Sequence, residues 1–298
     1  MTPNTQFNNN RQPQTPNNAP STDTLLNLLE DQDALVSFLA LEQLLHRDNL
    51  QQIISDNQDA PNLARRRKIH QLAAVSGRLD LQRRILLSIR QGKCSVWKAL
   101  SAIDLLYDTQ SSQAFIDEKI ASLQYYYHRE TGLRLEELGN FCANNGFVAT
   151  RTPLDNIGFY LVGDVLDRRI GSSGLLCAIA KRIARQRMHL NYCLRAGHIC
   201  LLDKQNNVLD PSDAWKVFPK VDPRSIRQCS DSEIISILLC QMLTVSVTLW
   251  SQHDIYLFAS LLSGIYSLPL GSFPYPLGDK SPEEAKTPAG HPLPQDHR

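Results

Sequence analysis

A helix start at Ser173, a β-prone run opening at His198 and a strand end at Asp210 follow one another along the middle of the chain. A helix N-terminus favours an anionic nucleophile, because its dipole and its free first-turn amides stabilise negative charge. A histidine on an adjacent strand can take the proton, and a carboxylate on the next strand can fix the imidazole tautomer. The order helix, histidine, aspartate across a hairpin is the topology a cysteine-protease-like site requires. A serine hydroxyl is a weaker nucleophile than a thiol near neutral pH. Ser173 would therefore need His198 as an aligned base, Asp210 behind it, and an oxyanion hole, for which the amides around Gly174 are candidates. Serine at a helix start also has a purely structural use as an N-cap. Cys177 lies one helical turn on and on the same face, as a second candidate nucleophile or as a small core residue.

The elements that must position these groups emerge from periodicity. Residues 1–22 are almost wholly Asn, Pro, Gln and Thr, and residues 271–298 are rich in Pro, Gly, Lys and Glu; both are expected to be disordered. Helix-period spacing predicts a helical region over 23–138. It comprises a helix from a Ser21 or Thr22 cap to Leu45, one over Leu63–Ser76 ended by Gly77, and one over Leu79–Gln91 ended by Gly92. Two more follow at Val96–Tyr107 and Ala114–Tyr127. The texture changes over 139–228, with turn signals at Asn144-Asn145-Gly146 and Thr152-Pro153. Helical spacing returns at Phe159–Arg169 and Leu175–Arg187. Two short β-prone runs, His189–Leu194 and His198–Leu202, lead through a turn at Asp203–Asn207 to Val208–Asp210. Residues 229–270 read as a helical pair. Sheet following helix within one region, flanked by helices, predicts an α+β fold.

Composition excludes several classes of function. The 298 residues are 42% hydrophobic and 20% charged with a net charge of +1, so no electrostatic case exists for a nucleic-acid or membrane partner. The basic run Arg65-Arg66-Arg67-Lys68 reads as a solvated helix face. No phosphate loop, dinucleotide fingerprint or His-x-x-x-His pair occurs, and no cofactor or metal is expected. Seven cysteines at irregular spacing, without a C-x-x-C pair, argue against a disulfide framework and against a zinc site. Free thiols and the lack of a basic-then-apolar leader lead to the expectation of a cytoplasmic protein. The apolar stretch Ile234–Trp250 is broken by Ser236, Gln241, Thr244, Ser246 and Thr248, which suits a buried core helix better than a membrane span. Arg168-Arg169 can bind an anion or make ordinary ion pairs, Asp213 and Trp215 can close over the Asp210 cleft, and the Tyr125-Tyr126-Tyr127-His128 cluster reads as packing. His189 has no evident partner.

Several motifs fall in order over Asn144–Trp215: Gly146-Phe147, the Val165-Leu166-Asp167-Arg168-Arg169-x-Gly171 run, the long helix ending in an Ala-Arg segment, Gly197-His198 and Leu209-Asp210-Pro211. This stretch resembles the SirB branch of the transglutaminase-like superfamily. The upstream helices resemble that family's helical N-terminal part, and residues 233–266 resemble the start of the helical repeat pair that often follows. The likeness spans residues 25–268. It implies a papain-like helix-plus-antiparallel-sheet core between helical flanks. It also implies an ancestral Cys-His-Asp site in which His198 and Asp210 match and the nucleophile position falls near Ser173. The branch generally lacks the cysteine and tends to carry a Gly-x-Pro segment, where this chain reads Gly171-Ser172-Ser173-Gly174. Since the branch has no well-established reaction, the expected function is a non-catalytic or catalytically altered module binding a protein or peptide partner through the cleft around His198 and Asp210. The alternative is a hydrolase or acyltransferase acting on an amide or ester through Ser173 or Cys177.

Overall fold

The computed structural model describes residues 20–108, 111–130 and 132–272. The two tails expected to be disordered lie outside the described residues, apart from their innermost few positions. The chain divides into two compact units, residues 1–79 and 80–298.

The first unit is helical: α1 (Thr22–Leu29), α2 (Ala34–Leu45), α3 (Leu50–Asn57) and the first half of α4 (Leu63–Arg90). Ser21 caps α1 by accepting from the Thr24 amide, as its position suggests. The single helix expected to run to Leu45 is broken, because Asp33 turns its side chain onto the Leu35 amide and starts a new helix there. Leu25, Leu29, Leu44, Ile53, Ile69 and Leu72 form the core of this unit. Ser37 ties it together, its hydroxyl donating to the Leu29 carbonyl at 2.8 Å. Gly77 does not end a helix. A Cβ built there would meet nothing within 4 Å, so the residue costs only helix propensity and α4 runs on to Arg90, with Gly92 turning at φ +64°.

In the second unit α5 (Val96–Tyr107), α6 (Gln113–Glu130) and α7 (Leu135–Asn144) precede the mixed region. Then come β1 (Val148–Ala149), a 3-10 turn at Ile157–Tyr160, α8 (Val162–Arg168), β2 (Ile170–Gly171) and α9 (Ser173–Ala184). Five strands follow: β3 (Asn191–Arg195), β4 (His198–Leu202), β5 (Val208–Asp210), β6 (Lys216–Phe218) and β7 (Arg227–Cys229). The unit closes with α10 (Asp231–Thr248) and α11 (Gln252–Tyr266). The five strands form an antiparallel sheet in the order β6-β5-β4-β3-β7, while β1 and β2 pair in parallel. The fold is α+β. One apolar core joins α5, α6, α7, α9, α10 and α11 to the sheet, so the helices from α5 onward share a core with the region after residue 138.

Register decides which side of the sheet each residue occupies. Cys193 lies opposite Cys200, Leu202 opposite Val208, and Val208 opposite Phe218. These residues form a small cluster on one face. Tyr192, Ile199, Leu201 and Leu209 alternate with them and pack into the helical core on the other. α10 is the one helix among the described residues long and apolar enough to cross a membrane. Its Ile234, Ile235, Leu238, Leu239 and Met242 are buried in this core, as expected of a core helix.

Candidate functional site

A cleft of about 720 Å³ opens where the start of α9, the start of β4 and the segment after α7 converge. Phe147, Tyr160, Ser173, His198, Trp215 and Gln241 are among its walls. The volume lies within the range of sites that hold small molecules or a short peptide segment.

Each wall is positioned by local chemistry. Ser172, not Ser173, is the N-cap of α9: its side chain accepts from the Leu175 amide at 3.3 Å, and its own amide donates to the Phe159 carbonyl at 2.8 Å. Ser173 is thereby released from capping and stands, half-buried, as the first residue of the helix. Gly174 behind it lets α9 approach its neighbours; a Cβ there would come within 2.6 Å of Leu238 Cδ2 and 2.8 Å of Ile199 Cδ1. Trp215 is held by its indole N–H, which donates to the Phe147 carbonyl at 2.7 Å. The chain reaches it through left-handed backbone at Ala214 and Trp215, with φ of 49° and 61°.

The sequence-predicted site residues are only partly brought together. Ser173 and His198 line the same cleft. No hydrogen bond joins them, and the imidazole of His198 forms no hydrogen bond or ion pair with any described residue. Alternation supplies the reason. Ile199 faces α9, so its neighbour His198 belongs to the opposite face of the sheet, the one that carries Cys200 and Asp210. Asp210 does not take the orienting position behind His198. One carboxylate oxygen accepts from the Ser212 amide at 2.8 Å and caps the 3-10 turn Pro211–Asp213; the other lies 3.8 Å from the Arg195 guanidinium. Arg195 in turn stacks over Phe218 at 3.6 Å, so the carboxylate is committed to a built structural contact. Cys177 is fully buried and its thiol donates to the Ile199 carbonyl at 3.3 Å. Burial pushes that thiol well above its ordinary pKa, which removes it as a nucleophile and makes it a core residue.

Of the lesser candidates, Trp215 both lines the cleft and is core, being 6% exposed. Asp213 faces solvent and pairs with Lys216. Arg169 ends α8 in the left-handed region at φ 65° and stacks over Phe147. Tyr127 is buried edge-on against Phe141, while Tyr125 and Tyr126 are exposed.

One wall residue was not visible as a site residue in the sequence. Tyr160 is 1% exposed and its hydroxyl has no partner among the described residues, although it sits at the cleft. Burial pushes this phenol up to about 12. A buried unpaired hydroxyl costs free energy unless something meets it. No signal marks it in the sequence, since its spacing is that of any buried aromatic. Among the described residues no three His, Cys, Asp or Glu side chains gather to hold a metal ion. The chain matches no protein-family model, no curated protein and no solved structure.

Proposed function

We propose that this chain is a non-catalytic transglutaminase-like module of the SirB type, which binds an extended peptide or protein segment in the cleft beside Ser173 and His198. The observation that carries it is the contrast within that cleft. A hydroxyl waits for a partner at Tyr160, yet among the described residues His198 makes no hydrogen bond to Ser173, and Asp210 is engaged by Arg195 and Ser212. A cleft with a hydrogen-bonding wall and no nucleophile–base contact suits recognition. β1 supports the peptide form of the ligand. The Val148 and Thr150 amides donate to the carbonyls of Arg169, just before β2, and Gly171, within it, so the intervening Ala149 amide points away from that strand, and Ala149 lines the cleft. We place the protein in the cytoplasm, a reading supported by seven cysteines that are all free thiols.

Two measurements test the reading. Serine- and cysteine-directed electrophiles should label neither Ser173 nor Cys177 in the native protein. Labelling of Ser173 that disappears in His198→Ala would establish the hydrolase or acyltransferase instead. In a screen of fluorescent peptides, those that bind should lose affinity ~3- to 10-fold in Tyr160→Phe, the worth of one neutral hydrogen bond. Peptides that bind Tyr160→Phe and Ser173→Phe as well as wild type would place recognition outside this cleft.

A further inference from the structure

We infer that a second cavity of the same unit, between the starts of α5 and α10 and the middle of α9, is a binding site for a small phosphorylated molecule. It has a volume of about 530 Å³ and shares no lining residue with the cleft. Lys93, Lys98, Lys181, Arg182 and Arg185 stand around it against two carboxylates, Asp117 and Asp231. A chain whose net charge is +1 has concentrated cations here, and only one of them is neutralised: Lys181 lies 3.5 Å from Asp231. Lys93, Lys98, Arg182 and Arg185 form no ion pair among the described residues.

The inner wall is where the ligand is missed. Ser101 is 3% exposed and lines the cavity, and its hydroxyl has no hydrogen-bond partner among the described residues. Arg182 lines the same cavity, and its Nε is also buried and without a partner among the described residues. Two buried donors without acceptors at one place call for an acceptor-rich group, and a phosphate offers several oxygens at once. The cations are also pre-positioned. The Arg182 guanidinium sits over the Trp97 ring at 5.9 Å and the Lys181 ammonium over the Tyr192 ring at 4.1 Å. Burial lowers the Lys181 pKa, with Asp231 opposing the shift, so an anion entering here would regain part of the solvation its ammonium has lost. The first turn of α5, capped by Ser95 and carrying Trp97 and Lys98, adds the positive end of a twelve-residue helix dipole to the same wall. The cavity exceeds what a bare phosphate fills, and the rest of its wall mixes polar side chains such as Gln113 with the apolar surface of Trp97, Ala178 and Tyr192, which points to a phosphate carried on a small organic body such as a sugar.

Isothermal titration of the full chain at fixed ionic strength tests this, with pyrophosphate and a hexose phosphate as probes and the free hexose as control. Both phosphates should bind saturably and the hexose should not. Lys98 and Arg185 are exposed, so the double variant Lys98→Gln, Arg185→Gln should fold as wild type and bind pyrophosphate about tenfold or more weakly, as expected for lost charge-assisted contacts. Ser101→Ala should weaken binding several-fold while leaving the ligand-free melting temperature unchanged or higher, because it removes an unpaired buried hydroxyl. Absence of saturable binding overturns the proposal. So does equal binding of the free hexose, or unchanged affinity in both variants.

Discussion

Asp104 shows what a single buried charge does in this unit. It is 2% exposed, accepts from the Ser111 hydroxyl at 2.6 Å and from the Gly163 amide at 3.1 Å, and so fastens α5 to the first turn of α8. Burial raises its pKa above the ordinary 3.8, and the two hydrogen bonds oppose that shift without cancelling it. The sign follows from linkage. The folded state holds the proton more tightly than the unfolded chain, so stability falls as pH rises from 3.8 through the raised value and then levels off. Asp104→Asn keeps an acceptor oxygen and loses the charge. Its stability in urea, relative to wild type, should therefore grow over that pH interval and be constant at neutral pH. Asp104→Ala leaves the Gly163 amide and the Ser111 hydroxyl unmet and should cost about 1–3 kcal/mol at neutral pH. A difference between wild type and Asp104→Asn that is flat with pH would show that the buried charge carries no penalty.

Two glycines inside helices, alike in sequence, have opposite roles at the scale of elements. Gly77 lies within α4 with open space where its Cβ would be, so Gly77→Ala should stabilise the protein by ~0.5–1 kcal/mol in thermal or urea unfolding. Gly139 lies within α7, and a Cβ there would stand 2.8 Å from the Trp215 carbonyl oxygen, which is backbone and cannot rotate away. Gly139→Ala should destabilise by roughly 1–3 kcal/mol and disturb the Trp215 wall of the cleft, seen as a shift in tryptophan fluorescence. No rule of sequence separates these two glycines, because the difference lies in what packs against them. The same limit governs the site. α5 was legible to the residue from its helical period, and β4 from its β-prone run ahead of the Asp203–Asn207 turn. β6 and β7 are three-residue edge strands too short to show alternation. The placing of Ser173 at a helix start, His198 at the start of a strand and Asp210 at a strand end was legible. Their facing was not. Whether Asp210 meets His198 depends on the register set by the Asp203–Asn207 turn, where Asp203 accepts from the Gln205 and Asn207 amides, and on the partner Arg195, which arrives from the strand before. Spacing along the chain carries neither.

The two units differ in how much core each possesses, and that sets the order in which the molecule opens. Residues 20–79 bury a small cluster around Leu25, Leu29, Leu44, Ile53, Ile69 and Leu72, and leave Leu35, Phe38 and Leu39 of α2 exposed. A helical unit of this size hides only about 60% of the surface its unfolded chain exposes, close to the limit of independent stability. The core of the second unit continues from Ile85 to Leu262 and closes around the sheet. Amide hydrogen exchange should therefore reveal a subglobal opening in which α1–α3 lose protection well before α9 and β3–β5. The informative segment is α4, a single helix whose first half gives Ile69 and Leu72 to one core and whose last turns give Ile85 and Ile89 to the other. If core membership governs stability, peptides covering residues 63–72 should exchange with α1–α3 and those covering 85–90 with α9. The change should fall near Gly77, where propensity is weakest, and Gly77→Ala should move it toward the N-terminus. Exchange of the whole of α4 as one block would mean instead that helix continuity outweighs the division of the core.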